Sequence, residues 1–212
     1  IIALRAEKEY EGLSKDILPR LEMIALYDKF AQGPWTPQTL PSSSNPWPDK
    51  RDHYLAAMNL VVADPNIAIE ERVYLMKHWL TTGQESLEHR VIAEKTRHDL
   101  IDAMEKGYVL FNLHEDIAEV ITTLPWATLV GYSLAPVVIA VNPAFSFNGG
   151  PKHRKITICQ YENGYIDMEK ISKELNEYES GWGGSPNIIG SPQGVDSLWT
   201  KENVVAIVRK HK

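Results

Sequence analysis

The character of the sequence switches at Gly107, and that switch limits the fold more than any other feature. Upstream, apolar residues recur at helical spacing: Ile17, Leu21, Ile24 and Leu26 within residues 1–31, then Ile69, Val73, Met76 and Leu80 after a break at Asp64-Pro65. Gly83 interrupts. Residues 84–106 are long and charged with a thin apolar face of Leu87, Val91, Ile101 and Met104, the pattern of a helix bridging two lobes. Gly107 is the natural stop of that helix. Downstream, the runs 108–113, 120–124, 136–141 and 156–161 are β-branched or aromatic, are separated by Pro, Gly and Asn, and read as strands. Asp167 caps a helix with an apolar face of Ile171, Leu175 and Tyr178, and Thr200 caps a last helix built on Val204, Val205, Ile207 and Val208. The expected fold is α/β (α+β overall). A mainly helical N-terminal half, residues 1–83, is joined by a connector helix, 84–106, to a small C-terminal domain, 107–212, with a mixed β-sheet flanked by helices.

Residues 33–52 stand apart within the helical half. Pro34, Pro37, Pro41, Pro46 and Pro48 exclude a regular helix there. Trp35 and Trp47 argue against a bare linker, so the loop is expected to pack against something.

Composition removes several function classes. With 212 residues, 43% hydrophobic and 24% charged, the chain can bury a core. A net charge of -6 disfavours long duplex DNA, whose phosphates require a basic face, while a small anion held by a local loop stays compatible. Cys159 is the single cysteine, so an internal disulfide framework and a Cys-based zinc site are excluded, and a reducing, cytoplasmic compartment is expected. The longest apolar stretch, 134–141, contains Pro136 and is too short to span a membrane. The chain starts at Ile1 without a Met, and its first residues do not read as a signal peptide.

The segment Ser180-Gly181-Trp182-Gly183-Gly184-Ser185-Pro186-Asn187-Ile188-Ile189-Gly190-Ser191-Pro192-Gln193-Gly194 speaks most directly about chemistry. Glycines let successive backbone N–H groups turn inward into an anion-binding concavity. Serine hydroxyls add neutral donors, Asn187 can donate to a phosphate or a base edge, and Trp182 can stack on a base. Composition alone allows equally a plain glycine-rich connection between a helix and a strand.

Context supplies a resemblance. The order strand (156–160), Asn163-Gly164 turn, Tyr165-Ile166-Asp167, short amphipathic helix (168–178) and Gly-Gly-Ser-Pro-Asn-Ile-Ile-Gly resembles the C-terminal substrate-binding domain of DHH-family phosphoesterases. That family includes RecJ-like nucleases, nanoRNases and cyclic dinucleotide phosphodiesterases. Ile166-Asp167-Met168-Glu169-Lys170-Ile171-Ser172 follows its middle motif, and Gly183, Gly184 and Gly190 fall on the glycines of its last one. The likeness covers roughly residues 134–208. Residues 18–28 look like the segment after the catalytic motifs, which makes 84–106 the inter-domain connector. The family's histidine falls on Ser185 and its strand arginine on Cys159 or Gln160, with Lys152, His153, Arg154 or Lys155 as substitute cations. The Asp-His-His and Asp-x-Asp motifs, which carry the paired Mn²⁺ ligands, have no counterpart in this sequence, and Asp28 alone matches a metal-binding aspartate.

The resemblance implies metal-dependent hydrolysis of a phosphodiester or phosphoanhydride in a short oligonucleotide or nucleotide, with Mn²⁺ as cofactor and this chain supplying the substrate-binding domain. Gly183, Gly184, Ser185, Asn187, Gly190 and Ser191 are then the expected substrate contacts. The chain reads as the C-terminal part of a longer protein, with a non-catalytic nucleotide-binding module or an interaction protein as the alternative. Oligomeric state stays open, a homodimer included. His89 and His98 lie on a charged helix without a second ligand pair at i, i+4 spacing, His114-Glu115-Asp116 offers a metal site but reads more simply as a solvated turn, and Cys159 reads as a buried thiol.

Overall fold

The computed structural model describes residues 17–30, 40–47, 61, 64, 66–147 and 149–212. The side chains of Glu22 and of residues 25–30 lie outside the described set, as does most of the Pro/Trp loop 33–52. Two compact units emerge: α1 (Ile17–Phe30) with residues 41–99, and Leu100–Lys212.

In the first unit, α2 (Ile69–Thr82) buries Trp79, which joins Val61, Met23, Ile24 and Leu80 in a small apolar cluster. Gly83 ends α2 in the left-handed conformation at φ 71°, and its N–H donates to the Trp79 carbonyl at 2.7 Å. The Arg20 guanidinium donates to the carbonyl of Leu80 at 2.7 Å. The described end of the Pro/Trp loop does pack: the Arg97 guanidinium lies 4.6 Å from the Trp47 ring centroid.

Helix α3 (Leu87–Glu105) closes at Gly107, φ 73°, where the Tyr108 N–H donates to the Ala103 carbonyl at 2.8 Å. The second unit then builds a six-stranded mixed sheet in the order β1-β2-β3-β4-β6-β5. Its strands are β1 (Leu110–His114), β2 (Ile117–Ile121), β3 (Val137–Phe145), β4 (His153–Gln160), β5 (Gly183–Ser185) and β6 (Ile188–Gly190). Only β2 and β3 run parallel, because α4 (Ala127–Tyr132) supplies the crossover that a parallel pair requires. Helices α5 (Met168–Tyr178) and α6 (Lys201–Lys210) cover one face. Ile139, Ile156, Ile158, Ile171, Leu175 and Val204 form the centre of that core. Helix α4 covers the other face.

The mixed α/β architecture expected from the sequence is therefore present. The second strand, however, runs Ile117–Ile121 and not 120–124, since Glu115-Asp116 makes a tight turn directly after β1. The glycine-rich segment, read as a loop, contains the β5–β6 hairpin. Tyr178, expected on the buried face of α5, is 66% exposed, its ring edge-on to Trp199 at 5.0 Å.

One charged cluster lies inside this unit. Glu119 on β2 is 3% exposed and accepts from Lys201 Nζ at 2.7 Å, His114 Nε2 at 3.0 Å and Asn112 Nδ2 at 3.4 Å. Burial pushes its pKa up, but the hydrogen bonds from Lys201 and His114 outweigh burial and hold it below the usual glutamate value. The unfolded chain consequently binds the acid-range proton more readily, so stability from Glu119 is present above pH 4.5 and lost as pH falls through the depressed folded-state value. Urea unfolding at pH 7, 4 and 3 is expected to show that acid loss. The Lys201→Met variant is less stable at pH 7 and has a shallower acid loss, because burial then raises the Glu119 pKa.

Close approach of α4 to β3 rests on Gly131. A Cβ there would meet Val138 Cγ1 at 2.3 Å. Helix propensity favours Ala over Gly by about 1 kcal/mol, but overpacking a core costs about 1–3 kcal/mol. Gly131→Ala is expected to lower the urea midpoint, and adding Val138→Ala to restore part of it.

Candidate functional site

The site grows from the junction of β4, α5 and the β5–β6 hairpin. Strand β4 ends at Gln160, whose backbone N–H donates to the Asn187 carbonyl at 2.9 Å. The chain turns through Asn163-Gly164, with Gly164 at φ 107°, and enters α5 at Asp167. The Asp167 carboxylate accepts the Lys170 N–H at 3.0 Å and pairs with Lys170 Nζ at 2.8 Å. The hydrogen bond from the Lys170 side chain, reinforced by its backbone N–H, holds Asp167 below the usual aspartate range.

Beyond α5 the glycine-rich segment is held by the half-buried Asn176 and the buried Glu179. Asn176 Oδ1 accepts the N–H groups of Gly181 at 2.9 Å and Trp182 at 3.1 Å, and its Nδ2 donates to the Trp182 carbonyl at 3.0 Å. Glu179, 5% exposed, accepts Trp182 Nε1 at 2.7 Å, Ser197 Oγ at 2.8 Å and the Leu198 N–H at 2.7 Å. Trp182 is thereby 5% exposed, which corrects the stacking role expected of it: its face belongs to the core.

Between α5 and the hairpin lies an open cleft of about 830 Å³. Gly183, Gly184 and Ser185 form one wall, and Asn163, Asp167, Glu169 and Lys173 contribute to the other. Gly184 admits no side chain, since a Cβ would lie 2.1 Å from the Ile188 carbonyl oxygen. Strand β5 is the sheet edge, so alternate backbone groups on its outer side have no neighbouring strand.

The six residues expected to contact substrate divide in two. Gly183, Gly184 and Ser185 line the cleft together. Asn187 sits in the hairpin turn, where its N–H donates to Ser185 Oγ at 3.4 Å. Gly190 faces Lys155, and Ser191 is 1% exposed with its Oγ accepting the Ile156 N–H at 3.0 Å. The amide cradle is narrower than the sequence suggests: the N–H groups of Gly181, Trp182, Asn187, Ser191 and Gly194 are all taken by protein acceptors. The nearby cations are also engaged. Arg154 Nη2 donates to the Ser197 carbonyl and Lys155 Nζ to that of Ser191, leaving Lys173 as the lysine lining the cleft. Lys173, Glu169 and Asn163 were legible in principle, because Glu169 and Lys173 share one face of α5 at i, i+4 spacing.

A pair of Mn²⁺ ions does not fit the described residues. No group of three or more His, Cys, Asp or Glu among them is placed to hold a metal, Asp167 is tied to Lys170, and the Asp28 side chain lies outside the described set. Cys159 is a buried thiol whose pKa burial pushes up to about 12, so it is no nucleophile at neutral pH. No helix among the described residues is long and apolar enough to cross a membrane.

No protein-family model matches this sequence. No curated protein matches it either. Among solved structures, the pGpG-specific phosphodiesterase PggH from Vibrio cholerae has a similar fold, with a TM-score of 0.53 at 11% identity over 96% of this chain and 70% of that one. The chain thus shares the fold of that structure. At this identity the likeness is one of fold and transfers no residue roles.

The Glu179 carboxylate is the fixed point of the segment. Leaving a buried donor unsatisfied costs about 1–3 kcal/mol, and Glu179→Ala strips three at once. Unfolding by urea is expected to show a loss on the order of 3 kcal/mol or more, with Trp182 fluorescence shifted to the red.

Proposed function

We propose that the unit from Leu100 to Lys212 is a nucleotide-binding unit of a phosphodiesterase-type protein, and that the cleft between α5 and the β5–β6 hairpin receives one end of a short oligonucleotide or nucleotide. The observation that carries this reading is the cleft itself, in which a side-chain-free strand, Gly183-Gly184, faces hydrogen-bonding side chains on α5. The similar fold of a pGpG phosphodiesterase supports it and makes a dinucleotide the natural first ligand.

Glycine at positions 183 and 184 lets a ligand approach the backbone of an edge strand closely. Ser185 and Asn163 add neutral hydrogen-bonding groups, and Lys173 adds a positive charge for a phosphate. The carboxylates of Asp167 and Glu169 make the cleft poor at collecting a long polyanion, in keeping with the net charge of -6. None of the described residues is assigned a role in hydrolysis of a phosphodiester or phosphoanhydride.

Calorimetric titration of the chain with pGpG, with and without Mn²⁺, tests the reading. Binding at one site per chain is expected, weakened about tenfold, or about 1.4 kcal/mol, in Lys173→Glu. Failure of both pGpG and GMP to bind a folded chain overturns it.

A further inference from the structure

Gln160 is the buried residue that touches both sides of the cleft. It is 2% exposed and sits at the last position of β4. Its Nε2 donates to the Pro186 carbonyl at 3.0 Å, in the turn of the hairpin. Its Oε1 accepts the Ile166 N–H at 3.1 Å, one residue before the cap of α5. Its own backbone N–H holds the Asn187 carbonyl. One planar amide therefore spans from the glycine wall to the helix wall, donating to one and accepting from the other.

We propose that Gln160 is the positioning residue of the nucleotide cleft: it sets the separation of the two walls through Pro186 and Ile166, and so sets ligand affinity without carrying the ligand's charge. The proposal rests on the nucleotide-binding reading above. An amide suits this task where a cation does not. A guanidinium or ammonium donates only and would leave the Ile166 N–H without its acceptor. A carboxylate accepts only and would set a negative charge against the Pro186 carbonyl in a buried place. Only a group with both functions, fixed in one plane, satisfies both walls at once. The protonated carboxyl of a glutamic acid is the one other side chain of this length that does so, its O–H donating to Pro186 and its C=O accepting from Ile166.

That equivalence provides the test. The full chain is compared with Gln160→Glu and Gln160→Met by titration with pGpG at pH 5 and pH 8, and by hydrogen exchange without ligand. In Gln160→Met, faster exchange is expected at both 163–167 and 183–188, together with at least a tenfold loss of affinity at either pH. In Gln160→Glu, the loss is expected at pH 8 and is largely recovered at pH 5, beyond whatever the wild type shows over the same range. Thr200→Ala, which removes the side-chain cap of α6 and touches neither wall of the cleft, serves as the comparison and is expected to lower the melting temperature with less than a twofold change in affinity. Unchanged exchange at both walls in Gln160→Met overturns the positioning role whatever the ligand result. Faster exchange with unchanged affinity overturns the link to binding. A wild type that binds neither pGpG nor GMP overturns the nucleotide reading, while the exchange arm still decides whether Gln160 holds the walls.

Discussion

The glycine-rich segment is held by three polar side chains, the buried Glu179 and Gln160 and the half-buried Asn176, and the cleft depends on them. Glycine lowers the cost of an unusual path but supplies no force to maintain it. Glu179, Asn176 and Gln160 supply the force, each using two or more hydrogen bonds, with the Trp182 indole N–H and the Ser197 hydroxyl among the buried groups they satisfy. Glu179 anchors the segment at Trp182 and again at Leu198, so the stretch between them is a loop closed at both ends. Only inside that closure can a hairpin as short as Gly183–Ser185 against Ile188–Gly190 keep its register.

The same logic explains why a flat amide nest is not what the segment builds. Of the N–H groups that glycine content brings to mind, those of Gly181 and Trp182 turn toward Asn176, and that of Gly194 toward His153. What remains open is the outer side of β5. The cleft is therefore a strand edge facing a helix face, with hydrogen-bonding groups along both. On the nucleotide-binding reading, such a surface meets the base and sugar edges of a short ligand with neutral hydrogen bonds and leaves its phosphate to Lys173.

Periodicity made most of the fold legible. The helices at 69–82, 87–105, 168–178 and 201–210 and the strands at 137–145 and 153–160 follow directly from apolar spacing and from caps at Asp167 and Thr200. What escaped was decided by tertiary pairing. Gly183-Gly184-Ser185 has no strand propensity, and it becomes a strand because β6 lies beside it and β4 beside β6. Helix α4 is six residues long, below the length at which a repeat can declare itself. Tyr178 fits the apolar stripe of α5 yet projects outward, because the segment leaves the helix there and Leu175 already fills the last core position.

At the site, residue type was a weaker guide than partnership. Ser191 and Trp182 carry the chemistry of ligand contacts, but β4 and Glu179 claim them first. The resemblance puts either Cys159 or Gln160 where the family has a strand cation. In three dimensions the neutrality of Gln160 is what allows one side chain to donate to Pro186 and accept from Ile166. A charge at this buried position would need a counter-charge from the cleft lining or from a ligand. If Gln160 is the positioning residue proposed above, a satisfied amide separates the two tasks: it holds the walls without a ligand, and Lys173 in the cleft lining is left to meet a ligand's charge.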